Sequence, residues 1–156
     1  MRRSKQALCE RETEQILNDA TSGVLSVLDA DGYPYAVPMS FVHVDGCIYF
    51  HSARTGHKID ALRHCEKASF CVIFKDDVRP AGYTTHYKSV IAFGRASIVE
   101  NEAEIVRALR ALGEKYRPGH TAELDTEINK CLPALAVIKL EIEQVTGKQA
   151  KGLLKE

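Results

Sequence analysis

The feature of the sequence that most constrains the fold is a set of short apolar runs separated by turn signals. Asp45-Gly46 joins two of these runs with only two residues, and both residue types tolerate the positive φ of a tight hairpin turn. In the last run, an apolar set of side chains alternates with a mostly charged set. The two sets are Ala136, Ile138, Leu140 and Ile142, and Val137, Lys139, Glu141 and Glu143. This pattern predicts antiparallel β-structure with one buried and one solvated face.

Six strands and three helices follow from the same patterns. The strands are predicted at residues 23–29, 34–44, 47–52, 68–75, 87–99 and 134–145, and the helices at 10–20, 57–65 and 101–117. Asn101 followed by Glu104 is typical of a capped helix start. We therefore expect a mainly β fold with peripheral helices, in which a six-stranded antiparallel barrel is closed or partly closed. No linker or repeat divides the chain, so residues 1–156 are expected to form one domain.

Charge and composition exclude several classes of protein. Lys plus Arg and Asp plus Glu both number 21, so no overall field attracts nucleic acid or an anionic membrane. The basic N-terminus lacks the apolar core of a signal peptide, and no apolar run reaches the ~18 residues of a membrane span. The five cysteines include no C-x-x-C pair, and the six histidines lack ligand spacing. We expect a cytoplasmic protein without a metal site.

The segment YFHSARTGHKIDAL, at residues 49–62, carries the clearest functional signal. A strand ends there, a small-residue loop containing Gly56 follows, and a helix opens with His57 and Lys58. The first N–H groups of a helix have no internal partner and lie at the positive end of its dipole. With the Ser52 hydroxyl, these groups would suit a phosphate monoester. The alternative is that Ser, Gly and Lys serve only capping and solubility.

Two further strands carry weaker signals. Pro38, within YAVPMSF at 35–41, cannot donate to a strand ladder, which predicts an edge or bulged strand whose backbone could meet a flat heterocycle. In the 87–99 strand, small residues share one face with Val90, and Ser89 lies on the other. That small-residue face would let a second barrel approach closely, or it could simply pack in the core. For Pro38, an ordinary bulged edge remains the alternative.

Four segments, taken in order, resemble the pyridoxamine 5'-phosphate oxidase-like superfamily, and more narrowly its nitroimidazole-resistance (Nim) branch. They are GVLSVLDADGYPYAVPMSF at 23–41, IYFHSARTGHKIDAL at 48–62, ASFCVIF at 68–74 and YKSVIAFGRASIV at 87–99. The resemblance extends from about residue 3 to residue 148. It implies a six-stranded split β-barrel that forms a homodimer, with FMN bound at the interface.

The resemblance also implies a set of cofactor-binding residues. Those matching the strand that lines the flavin ring or ribityl chain are Val37, Pro38, Met39 and Ser40. Those beside the ring and phosphate are His51, Ser52 and Ala53. The basic pair that would hold the FMN phosphate, beyond Gly56, is His57 and Lys58. Ser89 and Val90 match a strand of the flavin pocket or of the dimer seam.

Departures from the family's oxidases shape the expected activity. The chain has no Trp, its C-terminus does not match their substrate-phosphate pattern, and His57 stands where they tend to carry Arg. The resemblance therefore implies an FMN-dependent reductase of a nitroaromatic, quinone or similar flat acceptor, with NAD(P)H or a partner as electron donor. His51 is the candidate proton donor, or else only a hydrogen-bonding partner of the flavin.

Three alternatives to that reductase remain open. One is an oxidase like those that act on pyridoxamine 5'-phosphate, and another is a deazaflavin-dependent reductase of the same fold. The third is a non-enzymatic flavin- or haem-binding module, in which His86 or His43 would be an axial ligand.

Overall fold

The computed structural model describes residues 4–154, which form one antiparallel sheet with helices around it. The strands, in chain order, are β1 Ser22–Leu28, β2 Pro34–Ser40, β3 Val42–Val44, β4 Cys47–Ala53, β5 Lys67–Arg79, β6 Thr84–Ile98 and β7 Leu135–Gln149. The helices are α1 Glu10–Asp19, α2 His57–His64, α3 Glu102–Tyr116 and α4 Thr121–Cys131. The strand order is β2-β1-β5-β6-β7-β4-β3. The mainly β class is confirmed, with seven strands rather than six.

The extra strand arises because the predicted run 34–44 is broken at Phe41. β2 and β3 are the two edges of the sheet, so this single residue takes the chain from one edge to the other and curls the sheet into a split barrel. The Phe41 ring is fully buried, with its centroid 4.7 Å from that of Phe70. Its N–H leaves the ladder and donates to the Tyr116 hydroxyl at 2.9 Å, which satisfies a buried donor. The prediction of one continuous strand is wrong for this reason.

The barrel interior contains the small-residue face of β6. Val90, Ala92 and Ala96 are at most 1% exposed, and Gly94 lies so close to β7 that a Cβ there would overlap the Glu141 backbone. Of the two interpretations of this face, core packing is therefore the correct one. The opposite face of β5 and β6 is apolar yet exposed, since Ile73, Ile91 and Phe93 are 67%, 38% and 50% exposed.

A second apolar layer lies outside the barrel, where α3 and α4 pack on β4 and β7. The predicted helix at 101–117 is confirmed, and the Asn101 side chain accepts from the Glu104 N–H at 2.9 Å. Helix α4 was not predicted. It packs so tightly on α3 that a Cβ added to Gly113 would lie 2.3 Å from the Leu124 side chain. Among the described residues, no helix is long and apolar enough to span a membrane.

Candidate functional site

Helix α2 begins without a side-chain cap. Its N-cap residue, Gly56, has φ of +124°, a backbone conformation that residues other than glycine rarely adopt. The Gly56 carbonyl accepts from the N–H groups of Ile59 and Asp60. Within residues 4–154, the N–H groups of His57 and Lys58 have no hydrogen-bond acceptor. The helix start therefore presents two open donors at the positive end of its dipole.

Two polar side chains meet at this helix start. The Lys58 ammonium, half-buried, donates to the Ser52 hydroxyl at 3.1 Å, and Ser52 is only 8% exposed. The contact joins the end of β4 to the first turn of α2. A carboxylate also reaches this corner, since Asp29 Oδ2 lies 3.4 Å from His57 Nε2. The His57 ring packs edge-on against Tyr35, at 4.5 Å between centroids.

The pairing of His57 with Asp29 was not predicted. Asp29 lies in the β1–β2 turn, where its other carboxylate oxygen accepts from the N–H groups of Asp31 and Tyr33. The Asp29 carboxylate holds the His57 imidazole beside the open end of α2. Its negative charge balances part of the positive potential at this helix start. Lys58 is the cation of this corner that is not paired with a carboxylate in the described part of the chain.

A cavity of about 360 Å³ lies on the outer side of β4, between that strand and helices α3 and α4. Ser40, at the end of β2, and His51, on β4, both line this α3–α4 cavity. Its apolar wall is formed by Leu109, Leu112, Leu124, Ile128 and Leu135. At its rim the Cys131 thiol donates to the Glu127 carboxylate at 3.2 Å, and this contact raises the pKa of Cys131, which keeps it a thiol.

The remaining predicted residues of β2 lie along an open edge of the sheet, because β2 pairs only with β1. This confirms the edge strand expected from Pro38. Val37 and Met39 pack against the barrel interior, whereas Pro38 and Ser40 are exposed. Ala53, the last residue of β4, is also exposed.

Ser89 and Val90 lie elsewhere in the chain. His51 pairs with Val137 near the start of β7, and Ser89 pairs with Lys148, eleven residues further along the same strand. At about 3.3 Å per residue this is roughly 35 Å of strand. Val90 is fully buried in the barrel, and Ser89 shares the opposite face of β6 with Ile91 and Phe93. One chain therefore does not bring Ser89 to His51.

The two histidines considered as haem ligands lie apart from this site. His86 on β6 is covered by the turn after β7, since a Cβ added to Gly152 would lie 2.4 Å from His86 Nε2. His43 on β3 contacts Asn18, with His43 Nδ1 3.2 Å from the amide oxygen. Within residues 4–154, no three His, Cys, Asp or Glu side chains are grouped to hold a metal ion.

One part of the site could have been found in the sequence and was missed. Leu124, Ile128 and Cys131 recur at helical spacing, and this stripe forms one wall of the α3–α4 cavity. Helix α4 is short and mostly polar, so its apolar stripe is weak by itself. The stripe indicates a packed helix only when α3 is known to be the surface that it contacts.

Similar folds occur in solved structures at low sequence identity. A conserved hypothetical protein from Mycobacterium tuberculosis matches with a TM-score of 0.84 and 20% identity, over 97% of this chain and 91% of that chain. The FAD and haem binding protein from Mycobacterium smegmatis matches with a TM-score of 0.82 and 24% identity, over 96% and 75%. A candidate 5-nitroimidazole antibiotic resistance protein from Bacteroides thetaiotaomicron matches with a TM-score of 0.77 and 21% identity, over 92% and 86%.

The sequence itself matches a family model. No curated protein sequence is significantly similar to the chain. The model described as pyridoxamine 5'-phosphate oxidase, however, matches residues 10–149, which include every strand, all four helices and all the predicted site residues. The resemblance drawn from the four sequence segments is thereby confirmed: the chain belongs to the pyridoxamine 5'-phosphate oxidase family.

Proposed function

We propose that the chain is an FMN-dependent oxidoreductase that acts as a homodimer and reduces a flat acceptor such as a nitroaromatic compound or a quinone. One observation carries this proposal. Successive residues of β4 face two different environments: Ser52 contacts the Lys58 ammonium at the open start of α2, and His51 lines the apolar α3–α4 cavity. An anion-binding corner and an apolar pocket thus lie on opposite faces of the same strand end, one residue apart.

The α2 corner fits the phosphate of FMN. Two open backbone donors, a half-buried ammonium and a buried hydroxyl are the groups that bind a phosphate monoester. Lys58 would exchange part of its contact with Ser52 for a phosphate oxygen. Asp29 would keep the His57 ring oriented, with its Nε2 toward the carboxylate. Because the corner offers one cluster of donors, FMN is a better match than a dinucleotide flavin.

The edge of β2 and the side chain of His51 fit the flavin ring. An edge strand leaves every second pair of backbone groups unpaired, and these could meet the polar rim of the ring. When bound, the flavin supplies the electrons, as a hydride or singly. The role proposed for His51 is to hold or donate a proton at an imidazole nitrogen that faces the cavity. The apolar wall from Leu109 to Leu135 would exclude water and stack against a flat acceptor.

The exposed face of β5 and β6 supports the homodimer. Ile73, Ile91 and Phe93 share it with Ser89, and a cluster of exposed apolar residues on a strand surface is typical of an interface. A second barrel packed with its own site against this face would bring residues of that site next to Ser89. This arrangement would reconcile the predicted role of Ser89 with its distance from His51 in one chain.

Visible absorbance and acceptor reduction test the proposal together. The purified protein should carry FMN at about one per chain, and it should accelerate reduction of a nitroaromatic probe by NAD(P)H. Replacing His51 by Ala should lower turnover about a hundredfold while flavin stays bound. The matched control is His64→Ala, on the exposed surface of α2.

The flavin carrier, the haem module and the oxidase each have a distinct outcome in the same experiment. Bound flavin without acceptor reduction would indicate a carrier, and a single intense Soret band would indicate a haem module. Oxidation of pyridoxamine 5'-phosphate with formation of hydrogen peroxide would indicate an oxidase. Unchanged turnover in His51→Ala would remove the proton-donor role, and a monomeric flavin-loaded protein would remove the two-chain site.

A further inference from the structure

A second, larger cavity lies away from the flavin corner, beneath helix α1. It has a volume of about 650 Å³, and it is bounded by α1, the β3–β4 turn and the late part of β7. Its floor is apolar, with Leu8, Leu17, Ile142 and Val145. Val145 is 39% exposed, so apolar surface is left open to solvent there. The size and the apolar lining of this α1 cavity are those of small-molecule sites.

The polar side chains around the α1 cavity are almost all acceptors. Glu10 and Glu14 line it from α1, and within residues 4–154 neither carboxylate forms an ion pair. Thr13 also lines it, and its hydroxyl hydrogen is already directed to the Cys9 carbonyl at 2.9 Å. The Thr13 oxygen therefore offers only lone pairs to the cavity.

His43 adds another acceptor. Its Nδ1 lies 3.2 Å from the Asn18 amide oxygen, which can only accept, so this contact is a hydrogen bond in the tautomer that carries the proton on Nδ1. In the neutral ring this leaves Nε2 as an acceptor. Burial lowers the pKa of His43, although the nearby Glu14 carboxylate opposes this shift, so the neutral form is favoured at neutral pH.

The two carboxylates of the α1 cavity are not balanced by basic side chains in the described part of the lining. Among the described residues that line it there is no Lys or Arg. Lys115 lies near His43, but its ammonium donates to the Leu17 carbonyl at 3.3 Å and lies 4.0 Å from the centroid of the Phe41 ring. Of the lining side chains, only the Thr146 hydroxyl has a hydrogen left to donate. An anionic ligand would therefore find two carboxylates and almost no side-chain donors.

We propose that the α1 cavity binds a small organic cation, an amine with an apolar body, whose ammonium group donates to Glu10, Glu14 and His43. The apolar body would cover Leu8, Leu17, Ile142 and Val145. Charge complementarity selects this class of ligand, because a neutral molecule of the same shape would bring fewer donors and no charge, and an anionic one would be repelled by the carboxylates. The proposal does not depend on flavin, since none of these residues belongs to the α2 corner or to the α3–α4 cavity.

Titration calorimetry with three matched probes tests this site on the full chain. The probes share a naphthalene ring and carry an ammonium, a hydroxyl or a carboxylate: 1-naphthylmethylammonium, 1-naphthylmethanol and 1-naphthoate. We expect one ammonium probe per chain, bound about tenfold more tightly than the alcohol, with the carboxylate weakest. Glu10→Gln and Glu14→Gln should each weaken the ammonium probe about threefold.

The matched control is Glu102→Gln, which removes the same charge from the first turn of α3, outside the cavity. It should leave binding of the ammonium probe unchanged. Equal affinities for the three probes, or no binding at all, would overturn the proposal. So would equal weakening by Glu14→Gln and Glu102→Gln, because that result would reflect only the overall charge of the protein.

Discussion

Helices α2 and α3 begin in opposite ways. At the start of α3, the Asn101 side chain accepts from the Glu104 N–H, and Glu102 and Glu104 place negative charge in the first turn. At the start of α2, a glycine with positive φ replaces the capping side chain, and the next two residues are His57 and Lys58. The usual preference at a helix start is for capping oxygens and carboxylates. Helix α3 follows that preference, and α2 departs from it at its cap and its first two residues, although Asp60 lies in its first turn.

This difference separates a structural helix start from one that leaves its donors for a ligand. Glu104 also accepts from the Tyr49 hydroxyl at 2.8 Å and pairs with Lys139 at 3.3 Å, so the start of α3 is tied to β4 and β7. The donors of α2 have no such partners in the described chain. Basic residues near a helix N-terminus lower the stability of the helix when no anion is bound there. They become favourable when an anion binds there.

Removal of the α2 ammonium should have the largest effect. Lys58→Ala should weaken FMN binding by about 2 kcal/mol, or about thirtyfold, because a charge-assisted contact to phosphate is lost. Affinity for riboflavin, which lacks the phosphate, should barely change. Flavin fluorescence titration measures both affinities, and Lys67→Ala, an exposed lysine at the start of β5, is the control. An equal loss of affinity for FMN and for riboflavin would contradict a phosphate site at α2.

Removal of the α3 cap should affect stability and leave flavin binding intact. Asn101→Ala should lower the free energy of unfolding by about 1 kcal/mol, since the Glu104 N–H loses its acceptor. Urea denaturation measures this loss, and flavin titration of the same variant should give the wild-type affinity. If Asn101→Ala weakens FMN binding as much as Lys58→Ala does, the two helix starts do not differ in function.

Glu104 should stabilise α3 in a pH-dependent way. The hydrogen bond from Tyr49, together with Lys139, holds the pKa of Glu104 below its ordinary value of 4.5. Because the folded-state pKa is lowered, the stabilisation is present above about pH 4.5 and is lost as the pH falls through the folded value. Glu104→Gln should therefore cost about 0.5 kcal/mol at pH 7 and less at pH 3. Urea denaturation at the two pH values checks this, and a gap that widens toward pH 3 would contradict it.

The smallest expected effect concerns the carboxylate beside α2. Asp29→Asn removes the charge 3.4 Å from His57 Nε2 and keeps the oxygen that accepts from Asp31 and Tyr33. FMN should bind about twofold more tightly, because the positive potential of the corner is less balanced. Weaker binding in this variant would mean that orientation of His57 by Asp29 outweighs the charge. Flavin titration at low ionic strength gives the clearest measurement.

Local patterns predicted the elements of the fold whose causes are local. The Asp45-Gly46 turn, the Asn101 cap and the buried face from Ala136 to Leu140 all appear in the structure. Val137, on the face predicted to be solvated, is instead fully buried beneath the outer helices. The break at Phe41 does not follow from its neighbours, because the hydroxyl that accepts its N–H belongs to Tyr116, 75 residues later. Helix α4 likewise depends on packing against Gly113 of α3.

The candidate site likewise has a part that local sequence predicts and a part that depends on the tertiary structure. The strand–loop–helix pattern from Ser52 to Lys58 indicated the α2 corner, and the contact between these two side chains agrees with it. The proximity of Asp29 to His57, and of Ser40 to His51, depends on how the sheet curls, so it is invisible in the sequence. The assignment of Ser89 to the same site comes from resemblance alone, and it stays a prediction.

The most direct test is a side-by-side titration of the flavin-free wild-type protein with FMN and riboflavin. The proposal that the open start of α2 holds the cofactor phosphate predicts saturation by FMN at about one per chain, with riboflavin weaker by more than the roughly thirtyfold expected for loss of Lys58 alone. Equal affinity for the two flavins, or uptake of neither, would contradict it.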